Sequence, residues 1–396
     1  MQTMTLNDID VRGKRVLMRV DYNVPLDSDG AITDDTRIRA SLPTVRHVLD
    51  GGGRLVLMSH LGRPTGVTES LRLKPVAARL AKLLDQQVET VPECIGDAVR
   101  RKVQSMENGD CLMLENVRFH EKEVKNDPDF ARALAASGDI FVNDAFGTAH
   151  RAHASTEGVA HHMEMSVAGL LMARELTYLS RAIENPVRPL VVILGGSKVS
   201  DKIGVTRRAL AIADSVIIGG GMAYTFLKSQ GVPVGGSLVD EASLDFVTEV
   251  LASDRSGEGD LLLPSDHVIA EQLAAGVPTD IANEIPAGWL GLDIGPESRM
   301  RFTMAVAMAG TVLWNGPMGV FEIPEFAQGT KQIATAIADA TDAGTVSIIG
   351  GGDTAAAVNV FEVEERMSHV STGGGASLGL LEGAVLPGVA ALTSKA

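Results

Sequence analysis

Between Thr345 and Val358 the chain reads TVSIIGGGDTAAAV, a pattern with one ready solution: a strand, a glycine turn and the start of a helix. The run Val346, Ile348 and Ile349 favours extended backbone, and the Ala-rich segment behind it has high helix propensity. Gly350, Gly351 and Gly352 lack Cβ atoms, so their amides can approach an anion, and the helix adds unpaired N–H groups and positive dipole potential. A phosphate suits such a turn. Asp353 reads in two ways, as an N-cap after the turn or as a carboxylate holding Mg2+ on a nucleotide.

The same alternation runs through the chain. Val16–Val24, Arg54–His60, Cys111–Val117 and Ile140–Phe146 predict buried strands, and Ile38–Leu49, Lys74–Leu84 and Asp129–Ala136 between them have helical spacing. Pro43 and Pro128 are expected in the first turns of their helices, where proline is tolerated. Ser166–Glu184 predicts a long helix ended at Asn185-Pro186. Alternation then restarts with strands at Leu190–Leu194, Val216–Ile218, Asp260–Leu263, Thr311–Trp314 and Val346–Ile349. Two mostly parallel sheets follow from such βαβ order.

A chain of 396 residues, 45% of them hydrophobic, can fill two cores. The N-terminus lacks an apolar signal core and no run approaches the roughly 20 apolar residues of a membrane span, so a cytoplasmic protein is expected. Cys94 and Cys111 fit neither a disulfide framework nor a zinc site and read as buried small hydrophobes. A net charge of −15 argues against nucleic acid or an anionic membrane as partner. Residues 1–165 hold 21 Lys and Arg against 24 Asp and Glu, whereas 166–396 hold 14 against 26. A near-neutral half joined to an acidic, glycine-rich half points to a different ligand on each.

In the first half the strands run into polar groups: Asp21 and Asn23, then Arg37 opening a helix, His60 and Arg63, Arg118, and Arg151 between His150 and His153. The C-terminal strand ends of a parallel sheet share one edge, where such folds bind ligands. Guanidinium forks on that edge suit a small polyanion, and Asp21 and Asn23 suit a hydroxyl. In the second half the strand ends are glycine-rich, with Gly195 ahead of Lys198 and Lys202, then Gly219 and Gly220, Gly291, and Asn315 ahead of Glu322. Lys198 and Lys202 are four apart, the spacing that turns two ammonium groups to one helix face. Neither a P-loop nor a dinucleotide fingerprint is present, which disfavours a dehydrogenase. No nucleophile–base set stands out.

RVDYNVP (Arg19–Pro25), DDTRIRA (Asp34–Ala40), SHLGRP (Ser59–Pro64), ENVRFH (Glu115–His120), HRAHAS (His150–Ser155), LGGSKVSDK (Leu194–Lys202), IIGGGMA (Ile217–Ala223), GLDIGPES (Gly291–Ser298), WNGPMGVFE (Trp314–Glu322), GGGDTA (Gly350–Ala355) and STGGGAS (Ser371–Ser377) together resemble the 3-phosphoglycerate kinase family, in order and over nearly the whole length. The resemblance implies an α/β fold of two doubly wound, Rossmann-like parallel-sheet domains joined by a long helix. Their expected spans are 1–165 and 186–377, with 166–185 between them and 378–396 returning to the first. It implies that Asp21, Asn23, Arg37, His60, Arg63, Arg118 and Arg151 carry 3-phosphoglycerate or 1,3-bisphosphoglycerate. Gly195, Lys198, Lys202, Gly219, Gly220, Gly291, Asn315, Glu322, Gly350, Gly351, Gly352, Asp353 and Thr354 would carry Mg-ADP or Mg-ATP, with Asp353 on the metal. Arg37, Lys198 and Gly352 are the expected catalytic groups, acting in direct in-line transfer after domain closure in a monomer.

Overall fold

The computed structural model describes residues 3–252 and 259–395. It divides into two compact units, Met1–Thr177 with Val385–Ala396, and Tyr178–Ala384. The first is built on a six-stranded parallel sheet of β1 (Arg15–Arg19), β2 (Arg54–Met58), β3 (Val88–Thr90), β4 (Cys111–Met113), β5 (Ile140–Asn143) and β6 (Ser166–Ala168). Their order is β3-β4-β2-β1-β5-β6. From β1 the chain winds outward through β2, then returns to the other side of β1 as β5. β1 and β5 therefore flank a switch point, and the loops leaving them diverge to leave a crevice.

The second unit repeats the plan. Its parallel sheet uses β7 (Leu190–Leu194), β8 (Ser215–Ile218), β9 (Asp260–Leu262), β13 (Thr311–Asn315), β14 (Val346–Gly350) and β15 (His369–Val370), ordered β15-β14-β13-β7-β8-β9. Here β7 and β13 flank the switch point, paired through Asn315 with Leu194. A small antiparallel sheet of β10 (His267–Ala270), β11 (Asp280–Ala282) and β12 (Leu290–Ile294) stands beside it in sequence between β9 and β13. The interior strands are continuous apolar runs because both faces are covered, as parallel sheets require: all five residues of β7 and of β13 are buried. Asp127 caps its helix by accepting from the Phe130 amide at 2.9 Å, with Pro128 at the first helical position.

Four expectations change. The segment Ser166–Glu184 is not one helix: Ser166–Ala168 is the edge strand β6, and the helix begins at Leu170. The buried Asp144, just after β5, decides the break. Its Oδ1 accepts from the amides of Leu171 and Met172 at 3.0 and 3.2 Å, and a Cβ on Gly169 would stand 2.1 Å from that oxygen. Pro43 lies inside the helix Thr36–Asp50, not in its first turn. With the helix starting at Thr36, Pro43 is its eighth residue, well past the first turn. Neither β3 nor the antiparallel sheet was anticipated, since three- to five-residue strands with mixed polarity carry little periodic signal. The return to the first unit begins at Val385, because residues 378–384 stay with the second-unit helix Gly375–Glu382. Beyond it, Asn143 Nδ2 donates to Gly388 O at 3.0 Å and Met4 N to Thr393 O at 2.8 Å.

Candidate functional site

In the first unit all seven expected ligand-binding residues cluster at the C-terminal strand ends. Arg37 Nη1 donates to Asp21 Oδ2 at 2.8 Å, and Asp21 Oδ1 stands 3.9 Å from His60 Nδ1. Asn23 Oδ1 accepts from the Gly62 amide at 2.8 Å, and Arg118 Nη1 donates to the Gly62 carbonyl at 2.9 Å, so one glycine ties Asn23 and Arg118 together. Gly62 needs its positive φ of 66° for that turn. Arg63, Arg118 and Arg151 line one open pocket of about 490 Å³ with His120 and His153. Arg63 and Arg151 are exposed there, whereas Arg118 is buried and its Nε has no partner. Burial, followed by Arg19 and Arg151, pulls Arg118 down to about 10. An anion entering the pocket would relieve each of these costs.

Beneath the cluster lies a group that sequence reasoning missed. Arg19, at the end of β1, has no solvent exposure. Its Nε donates to Ser155 Oγ at 2.7 Å, Ser155 Oγ donates to Glu123 Oε1 at 2.6 Å, and its Nη2 donates to His60 Nδ1 at 3.0 Å. A guanidinium has only donors, so His60 Nδ1 must accept and the ring proton sits on Nε2. Burial, then the nearby Arg19, Arg118 and Arg37, hold His60 well below its ordinary pKa. The ring is a neutral donor. Burial, then Arg118, Arg19 and Arg151, hold His153 at about 4. The signal was an arginine inside the apolar run VLMRV, a placement that demands buried partners.

The second unit's switch point is shaped by backbone. Lys202 Nζ donates to Gly195 O at 2.6 Å and Asn315 O at 2.9 Å, joining the ends of β7 and β13. Burial pushes its ammonium down to about 8. Lys198 precedes the turn Ser200–Lys202 in an exposed loop, so the two lysines do not share a helix face as their spacing predicted. The three-residue 3-10 turn Ser200–Lys202, ahead of the helix Ile203–Ile212, breaks the register. The strand-end loops approach so closely that a Cβ on Gly195 would lie 2.1 Å from Pro317 O, and one on Gly220 2.6 Å from Gly196 N. Gly219 leaves room for Met318 in the same way.

Gly351, with φ of 89°, is the N-cap of the helix Gly352–Val360, so Asp353 is not. Asp353 and Glu322 are exposed, and a Cβ on Gly352 would meet open space. Thr354 Oγ1 accepts from the Gly316 amide at 2.7 Å, which braces β14's turn against β13's. Asn315 Nδ2 is buried without a partner and faces Gly350 and Gly351, at 3.3 and 3.0 Å from the Cβ positions those glycines lack. Gly291 belongs to β12, where its amide donates to Ser237 Oγ at 2.9 Å and a Cβ would stand 2.3 Å from Tyr224 Oη. Its placement has a packing reason.

The family model described as phosphoglycerate kinase matches residues 6–384. The chain belongs to the phosphoglycerate kinase family. The phosphoglycerate kinase of Acaryochloris marina is 57% identical over 390 residues, 98% of this chain and 97% of that protein. That of Chloroherpeton thalassium is 53% identical over 397 residues, covering 100% of both. Among solved structures, the phosphoglycerate kinase from Coxiella burnetii superposes with a TM-score of 0.90 at 40% identity, covering 98% of each chain. The protein catalyses reversible phosphoryl transfer between 1,3-bisphosphoglycerate and ADP, a step of glycolysis, and acts on small molecules. No helix among the described residues is long and apolar enough to cross a membrane.

Proposed function

We propose that the first unit holds the phosphoglycerate and the second the nucleotide, each at its own switch point. The observation that carries this division is the contrast between the two edges. One presents Arg37, His60, Arg63, Arg118 and Arg151, which suit a small polyanion; the other presents glycine turns, Lys202 and the unpartnered Asn315 amide, which suit a phosphate chain. Arg63, Arg118 and Arg151 take the phosphate and carboxyl charge. Asp21, held by Arg37, and Asn23 orient the hydroxyl, and His60 donates from Nε2.

Gly195, Gly219, Gly220 and Gly291 shape the nucleotide's bed, with Asn315, Glu322 and Thr354 around it. The amides of Gly350, Gly351 and Gly352 cradle the phosphates, and Lys198 and Lys202 neutralise them. The donor set fits Mg2+ carried on the nucleotide: Asp353 is an exposed single carboxylate, and no group of three or more His, Cys, Asp or Glu among the described residues could cage a metal. Mg2+ usually keeps its waters and takes one or two carboxylates beside phosphates. Bound there, it would neutralise charge on the phosphates.

Phosphoryl transfer asks for in-line placement and charge neutralisation more than for covalent chemistry. With its substrates on separate units, the enzyme must bring them together for transfer, and closing excludes competing water. Arg37 and Lys198 then flank the migrating group, with Gly352 donating its amide. A cytoplasmic monomer is the state we assign, the location from its small soluble substrates and the monomer from the family the chain belongs to. The test is ATP formation from ADP and 1,3-bisphosphoglycerate with Mg2+ and with chelator. Turnover lost on chelation and restored by Mg2+ supports the reading; turnover indifferent to chelation overturns the role of Asp353.

A further inference from the structure

The outer face of the helix Pro296–Ala307 departs from the usual surface pattern. A helix packed on a core by one side normally turns charged and polar residues to water on the other. Here Phe302 and Val306 are buried, while Met300, Met304 and the C-cap Met308 are 60%, 65% and 76% exposed. Spaced by four, they form one row of thioethers along the helix. Every other methionine among the described residues is buried or half-buried. Met318, whose Sδ occupies the space beside Gly219, has 0% exposure.

We propose that this row is a modification site for two-electron oxidants of the hydroperoxide class. The thioether sulfur attacks the terminal peroxide oxygen; the S–O bond forms as the O–O bond breaks, and the departing alkoxide, or hydroxide from hydrogen peroxide, takes the proton of the transferred oxygen and leaves as an alcohol or water. Sulfur loses two electrons and the peroxide gains them. Methionine oxidation turns an apolar side chain polar and requires the oxidant to reach the sulfur, so exposure orders the sites. With most of each side chain already in water, the new sulfoxides stay hydrated and the core of the second unit is left intact. Oxidation therefore changes an apolar stripe into a row of strong hydrogen-bond acceptors without disturbing the strand-end glycine turns.

The experiment is a hydrogen peroxide titration of the full chain, read by tandem mass spectrometry of proteolytic peptides and by turnover. Met300, Met304 and Met308 are expected to gain oxygen on the order of tenfold faster than Met18, Met222 or Met318, with turnover retained through that phase. The variant M300L/M304L/M308L should keep basal turnover and lose the fast phase. Equal rates at Met318, or a fast phase that survives in the variant, would overturn the assignment. Turnover falling in step with the fast phase would overturn the separation of this site from phosphoryl transfer. The mass readout is independent of any activity, so failure here is distinct from failure of the proposed substrate roles.

Discussion

Arg19 organises the first unit's cluster from below, through its hydrogen bond to His60 Nδ1. Its donors leave His60 one tautomer, and 15N spectra should show a ring protonated at Nε2 and still neutral at pH 6.5, where a free imidazole is half charged. A ring protonated at Nδ1, or charged at pH 6, would remove Arg19 from that role. Arg37, 40% exposed at its side chain, is positioned by Asp21 and is free to meet a ligand. Arg37→Ala should lower kcat on the order of 10²–10³-fold with nucleotide affinity unchanged, as loss of a transition-state donor does; steady-state kinetics with normal turnover would refute it. Arg118→Ala should instead raise the KM for 3-phosphoglycerate, and an unchanged KM would make Arg118 a structural cation. These residues were legible because each follows a strand within a short polar motif. Arg19 was not, since its partner Ser155 lies 136 positions away and only the fold brings them together.

At the scale of elements, the helix Leu170–Glu184 starts where Asp144 holds its first amides. Burial pushes that carboxyl up to about 7, against the pull of Thr44 and the two amides. The sign follows: the unfolded carboxyl ionises near 3.8 and the folded one near 7, so its contribution to stability is present below the first value and lost as pH rises through the second. Asp144→Asn has no such loss. Relative to the parent, its unfolding free energy should improve by about 1 kcal/mol per pH unit between the two values and level off above them. Urea titrations showing a pH-independent difference would contradict this. The helix boundary was illegible because Ser166–Ala168 continues the apolar rhythm of the helix, and only pairing with β5 makes it a strand. Lys198 and Lys202 show the converse failure, a helical spacing interrupted by a 3-10 turn.

For the whole molecule, a ligand on each unit predicts separable footprints in hydrogen exchange. 3-Phosphoglycerate should protect the strand-end segments near residues 19–23, 60–63, 116–120 and 147–155. Mg-ADP should protect those near 195–202, 219–221, 315–319 and 350–354. Protection by the nucleotide confined to the first unit would reverse the assignment. The expectation of an α/β chain with two parallel sheets is met in both six-stranded sheets, including the switch points at β1/β5 and β7/β13.

Local chemistry alone determined the alternation of strands and helices, the cationic character of one set of strand ends and the glycine turns of the other. Those features depend on side-chain size, branching and charge within a few neighbours. Tertiary structure decided what depends on distant partners: the burial of Arg19 with Ser155 and Glu123, the tautomer of His60, and the edge strand Ser166–Ala168. It also tied Lys202 to carbonyls from two strands far apart in the chain. A buried charge or an edge strand is stable only if its partner arrives, and no local window contains that partner.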